Sequence, residues 1–155
     1  MGSNPIAGAI FIVTIVNKTE FDLDRIETII RFTRPPKIVL PRFYLCMTKT
    51  VCFYGYYDFG LNKVYVSLGP DDCYPVLVHR STKAKRQGYL SGFNIEDREE
   101  ALVYTLAHEL RHAYQHAYPY SERLGGKFLH RVYSECDSDT YALWKLKNWR
   151  KRKTQ

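Results

Sequence analysis

The residues most able to do chemistry together are His108-Glu109-Leu110-Arg111-His112, an HExxH run. Residues four apart stand on one face of an α-helix, one turn above the other. Two imidazoles placed that way can reach a single Zn²⁺ at about 2.0–2.1 Å. Glu109 falls about 100° round the helix from His108, beside such a metal and not on it. From there it can accept a proton from a water whose pKa the metal lowers towards ~7. A Lewis acid, an activated water and a base together make hydrolysis the chemistry to expect.

A catalytic zinc site needs a third protein ligand, and three residues compete for the place. His116 lies on the same helix but eight residues from His108, about 12 Å along the axis. One metal takes both only if the helix breaks. The metzincin pattern breaks at a Gly, whereas Ala113-Tyr114-Gln115 stands here. His116 therefore reads as a residue supporting the ligands or as a surface residue. His130, in a loop before the last helix, is an alternative. Glu135 is preferred: it follows His112 by 23 residues, near the start of the last helix, with Asp139 one turn on. One carboxylate can bind the metal while the other takes the free ring N–H of a ligand His, fixing its tautomer. The expected set is His108, His112 and Glu135 on Zn²⁺, Glu109 as the base and Asp139 behind a histidine.

The elements that must position these residues can be read from periodicity. Leu102, Leu106, Leu110, Ala113 and Ala117 recur at helical steps. That predicts a long helix beginning at Asn94-Ile-Glu-Asp and ended by Pro119. A last helix is predicted over 131–149, burying Val132, Cys136, Leu143 and Leu146. An earlier one is predicted over 21–32, with Asp22 as N-cap and Thr33-Arg-Pro-Pro36 as its stop. Ile10 to Val16 reads as a buried strand. Between the helices, strands are predicted at Lys37–Leu40, Tyr44–Phe53, Lys63–Leu68 and Val76–His79, with a turn-rich stretch over Gly55–Asn62 and a short strand at Gln87–Gly92. Lys63–Leu68 is the candidate strand edge for an extended peptide substrate.

His108-Glu-Leu-Arg-His112 followed by Glu135-Cys-Asp-Ser-Asp139-Thr-Tyr-Ala142 resembles the gluzincin clan of zinc peptidases, and the small size resembles the ImmA/IrrE-like members. Gly55 to Ser67 is similar to the strand that such folds place above the metal. Ser138 departs from the Ala that the ImmA-like pattern prefers. The resemblance implies an α+β, zincin-like fold. In it a small, twisted, mostly antiparallel sheet packs on the HExxH helix and on a second, glutamate-bearing helix. It also implies a zinc-dependent endopeptidase acting on a protein or peptide. A second resemblance is to SprT-like, DNA-associated proteases, in which His130 would be the third ligand.

Composition bounds the rest. The chain has 155 residues, 45% apolar and 25% charged, which fits one folded domain and excludes a disordered chain. Its net charge is +7, but Lys145, Lys147, Arg150, Lys151, Arg152 and Lys153 supply six of those charges, leaving +1 for residues 1–144. A second basic run spans Arg80–Arg86. The expected organisation is a domain over 1–147 and a basic tail over 148–155. That tail could bind nucleic acid, lie across the cleft or solubilise the chain; the alternative function is a regulatory or nucleic-acid-binding protein with a vestigial zinc site. Cys46, Cys52, Cys73 and Cys136 form no CxxC pair and read as reduced thiols. The apolar run Ile6–Val16 is too short to span a bilayer and lacks a basic flank, so no membrane partner and a cytoplasmic location are expected.

Overall fold

The computed structural model describes residues 12–79, 92–118 and 134–155. Strand β1 (Ile15–Lys18) leads into helix α1 (Leu23–Thr33), then β2 (Arg42–Met47), β3 (Phe53–Asp58), β4 (Lys63–Leu68), β5 (Val76–His79) and β6 (Gly92–Ile95). Helices α2 (Arg98–Ala117) and α3 (Glu135–Lys153) follow. Among the described residues this is an α+β arrangement of three helices, a four-stranded mixed sheet and a two-stranded ribbon.

The sheet has the order β1-β2-β4-β3. β1 runs parallel to β2, β2 parallel to β4, and β3 antiparallel to β4. The expectation of a mostly antiparallel sheet is therefore corrected. The reason is connectivity: β1 reaches β2 through a helical crossover, which joins parallel neighbours. The tight β3–β4 hairpin then docks its second strand, not its first, beside β2. Asp58 stabilises that turn by accepting from the Leu61 N–H at 3.0 Å. Asn62, at φ 46°, takes the left-handed conformation that Asn tolerates. β4 thus lies inside the sheet, paired on both sides, and cannot be the free edge. Among the described residues β3 is the edge strand on this side.

Other expectations shift for local reasons. Lys37–Leu40 is not a strand: it lies between Pro36 and Pro41, and Lys37 has φ 62°. The single strand foreseen over Tyr44–Phe53 ends at Met47, and its last residue opens β3, which takes the first half of the predicted turn region. β4 and β5 fall where alternation placed them. The first strand begins at Ile15; of the predicted Ile10–Val16, residues 10 and 11 lie outside the described residues. So do the Arg80–Arg86 run, most of Gln87–Gly92, Val132 and His130.

α1 begins as expected, with Asp22 accepting from the Arg25 N–H at 2.7 Å. Its Ile26, Ile29 and Ile30 are fully buried. α2 is capped by Asp97, not Asn94, which pairs with Leu77 in the ribbon. The helix is buried almost all round. Leu102, Leu106 and Leu110 are inaccessible, and so are Ala101, Val103 and Ala107 on other faces. The inward sheet face (Phe43, Leu45, Val64, Val66, Leu68) is buried with it in one core. α3 runs antiparallel to α2: Asp137 meets Arg111, whereas Arg150 meets Glu100 at the far end. Leu143, Leu146 and Trp149 anchor α3.

The predicted boundary at 147/148 falls within α3, whose helix continues to Lys153. Trp149 is buried with its ring centroid 5.1 Å from that of Phe32. Arg150 donates to both oxygens of Glu100, and Lys153 reaches Glu99 at 2.9 Å. All four cysteines are free thiols. No described helix is long and apolar enough to cross a membrane.

Candidate metal centre

The HExxH run occupies the middle of α2, where the helix is fully formed on both sides. This sets His108 and His112 one turn apart, with ring nitrogens Nε2 and Nε2 separated by 3.0 Å. α3 arrives antiparallel with Glu135 in its first turn. Oε2 of Glu135 lies 3.1 Å from His108 Nε2, and Oε1 lies 3.2 Å from His112 Nε2. Two imidazole nitrogens 3.0 Å apart thus each face a different oxygen of one carboxylate at 3.1–3.2 Å, and one ligand atom from each residue lies within 4.8 Å of the others. Tetrahedral ligands at about 2.0–2.1 Å from zinc stand about 3.3–3.4 Å apart, so the cluster is close to the size that such an ion needs. Among the described residues these three form the one group able to hold a metal.

The outer ring nitrogens decide what the inner ones offer. His108 Nδ1 lies 3.0 Å from Asp139 Oδ1, which also accepts from Tyr104 Oη at 3.0 Å. His112 Nδ1 lies 3.0 Å from Gln115 Oε1 and 3.2 Å from Ser138 Oγ. Gln115 Oε1 must be the oxygen, because it also accepts from the Ser134 N–H while its amide nitrogen donates to Ser134 O and Asp137. Each Nδ1 therefore donates outward, and each Nε2 lone pair points to the shared space. Two lone pairs and a carboxylate converging at this distance require positive charge between them. The electrostatics agree. Burial pulls the His108 pKa down, but the hydrogen bonds to Asp139 and Glu135 outweigh it and raise it to about 10. The His108 and His112 imidazoles against it hold Glu135 well below the usual carboxylate range. The donor set fits a divalent cation with N and O ligands.

Glu109 is buried beside the cluster at 6% exposure and is not part of it. Burial raises its pKa, opposed by the neighbouring His108 and His112 and by a backbone hydrogen bond from Tyr57. β3 crosses directly above it. A Cβ on Gly55 would stand 2.6 Å from Glu109 Oε1 and 2.5 Å from Thr105 Cγ2, so only glycine lets the strand approach the carboxylate this closely. A cleft of about 250 Å³ opens here, lined by Gly55, Tyr54, Thr105, His108, Glu109 and Asp139 among others. The Thr105 hydroxyl, buried against the cleft, has no hydrogen-bond partner among the described residues.

The structure thus brings together His108, His112, Glu135, Glu109 and Asp139. His116 is apart from them, exposed at the helix end with its ring centroid 5.4 Å from that of Phe59. Sequence reasoning missed the supports. Tyr104 and Thr105 stand one turn before His108 and Glu109, and Gln115 follows His112 by three, so helical spacing could have found them. Ser138 registered only as a departure from a pattern. Gly55 opens the stretch expected as a turn, and only the resemblance of Gly55 to Ser67 pointed to a strand above the metal. No protein-family model, no curated protein and no solved structure matches this chain.

Proposed function

We propose that this chain is a zinc-dependent endopeptidase of gluzincin type, held to its reaction by His108, His112 and Glu135 as metal ligands and Glu109 as base. The observation that carries the reading is the convergence of two imidazole nitrogens, 3.0 Å apart, on the two oxygens of Glu135 at 3.1–3.2 Å, beside a buried carboxylate that takes no part in the cluster. A zinc ion bound there would supply Lewis acidity to a water and to a peptide carbonyl. Glu109 accepts the proton of the attacking water and returns it to the departing amine, moving one proton from nucleophile to leaving group. Its burial favours this work, because a carboxylate with a raised pKa is a better acceptor near neutral pH. Asp139 holds the His108 ring, and Gln115 with Ser138 holds that of His112, so neither imidazole has to reorient. An extended peptide lies along β3, the sheet edge over the cleft, in place of the β4 edge anticipated from sequence. There its main chain passes Gly55 and comes within reach of Glu109.

The test is cleavage of an unstructured protein and of a quenched-peptide library by the zinc-loaded chain. Glu109→Gln is expected to lower the rate by about 10²–10⁴-fold or more while zinc content is unchanged. Equal cleavage by wild type and Glu109→Gln would overturn the assignment.

A further inference from the structure

The four-stranded sheet has a second face, which plays no part in the centre above. Its side chains alternate with the buried set and lie in three cross-strand rows fixed by the register. The middle row reads Val16, Tyr44, Tyr65, Tyr56. Ring centroids are 6.0 Å apart for Tyr44 and Tyr65 and 6.2 Å apart for Tyr65 and Tyr56. Tyr54 stands in a flanking row, and it and Tyr56 are 56% and 45% exposed. Together with Cys46, Ser67 and Asp58 these tyrosines line a shallow open concavity of about 430 Å³.

Charge on this face is one-sided. Lys18, Arg42 and Lys63 belong to it, against a single carboxylate, Asp58. The lysines have no carboxylate partner in an ion pair among the described residues; they rest on the rings instead. Lys63 Nζ lies 4.6 Å from the Tyr65 centroid and 5.3 Å from that of Tyr44, and Lys18 Nζ lies 5.4 Å from Tyr44. Val16 is the one aliphatic side chain in the exposed part of these rows. The core of an interface with another folded protein is depleted in lysine, whereas two lysines stand over these rings. Planar rings with mobile cations at their margins suit a different ligand: unpaired bases that stack and phosphates that take the lysines.

We propose that this sheet face binds single-stranded nucleic acid, with bases stacked on Tyr44, Tyr65 and Tyr56 and with Lys18, Lys63 and Arg42 on the phosphates. A duplex does not fit, because its base faces are already stacked. The site is independent of the peptidase reading and of the basic end of α3, from which Arg150 and Lys153 are already withdrawn by Glu100 and Glu99.

The test is fluorescence anisotropy of the full chain with labelled 15-mer oligothymidylate and oligouridylate, against a mixed-sequence duplex, over a salt series. Binding of either single strand, at least tenfold tighter than of duplex, is expected; the two arms separate DNA from RNA. Tyr56→Ala is expected to weaken it about 5–100-fold, and Tyr56→Phe to retain it. The Lys18→Gln, Lys63→Gln double variant is expected to make the slope of log K against log salt shallower by about 1.4. A Lys147→Gln, Lys151→Gln, Arg152→Gln variant is expected to stay within about twofold of wild type. Thermal melts show which variants remain folded. Three outcomes would overturn the proposal: no binding of either single strand; binding that survives Tyr56→Ala but is lost in the α3 triple variant; or a concentration-dependent dimer that Tyr56→Ala abolishes, which would make a second copy the occupant.

Discussion

Glu109 and Asp139 are both carboxylates beside an imidazole, and their surroundings give them different work. Asp139 is tied to a ring nitrogen and a phenol, at 3.0 Å each. Glu109 is buried under a strand, outside the donor cluster, and its acidity is weakened by that burial. Asp139→Ala is therefore expected to lower zinc affinity about 10–100-fold, measured by competition with a chelating dye. Gly55→Ala separates the base from the ligands. Its methyl would drive Thr105 and Glu109 apart from β3, and a displacement of that size costs on the order of 10²-fold in rate. Zinc binding should be unchanged, and loss of zinc instead would mean that Gly55 supports the ligands. The HExxH pair was legible because its geometry depends only on helical spacing. Glu135 was legible only as a choice among three residues, since its position rests on how two distant helices cross. Of the supports, Gln115 was within reach of helical spacing from His112, whereas Ser138 was not legible, because a Ser is an ordinary helix-surface residue until a second helix gives it a partner.

At the scale of elements, the site is a crossing of α2 and α3 fastened at both ends. Near the site, Arg111 holds Asp137 at 2.7 Å and Gln115 binds the first turn of α3. Far from it, Glu99 receives Arg25, Lys153 and the Trp149 indole. Burial opposes ionisation of Glu99, but these donors win and lower its pKa to about 2. The unfolded chain thus binds a proton here more readily than the folded one. The stabilisation is complete above the unfolded value, about pH 4.5, and is lost as pH falls from there towards 2. Water at the partly exposed Arg25 and Lys153 screens the pair, which leaves on the order of 2 kcal/mol. Urea melts of wild type and Glu99→Gln should differ by about that much at pH 7, and the difference should shrink below pH 4.5 and close only towards pH 2. A constant difference would remove the ion-pair explanation. Helix periodicity announced α1 and α2, with Asp22 capping α1 as read. Strand pairing was less accessible: nothing in the alternation of Lys63–Leu68 says whether it lies at an edge or inside, and the helical crossover after β1 decided the matter.

At the scale of the whole molecule, the excess charge changes meaning. Residues 148–155, with four of the six clustered basic residues, are expected from sequence as a tail, yet Trp149, Arg150 and Lys153 lie along α2 and tie the last helix to its start. Arg150→Ala would leave Glu100, itself buried, without its bidentate partner. That is expected to cost about 1–3 kcal/mol, since Arg150 itself is partly exposed, and is read as a drop in the urea midpoint. Composition could count these charges but not place them, because their partners Glu99 and Glu100 lie some fifty positions earlier. The central claim is that the two helices together make one metal site from His108, His112 and Glu135. It is tested most directly by the metal content of the intact chain, purified without chelator and measured by elemental mass spectrometry beside Glu135→Ala, His130→Ala and Glu109→Gln. The prediction is about one zinc per chain in wild type, His130→Ala and Glu109→Gln, and little in Glu135→Ala. Full zinc in Glu135→Ala with loss in His130→Ala, or no bound metal in the wild type, would contradict it.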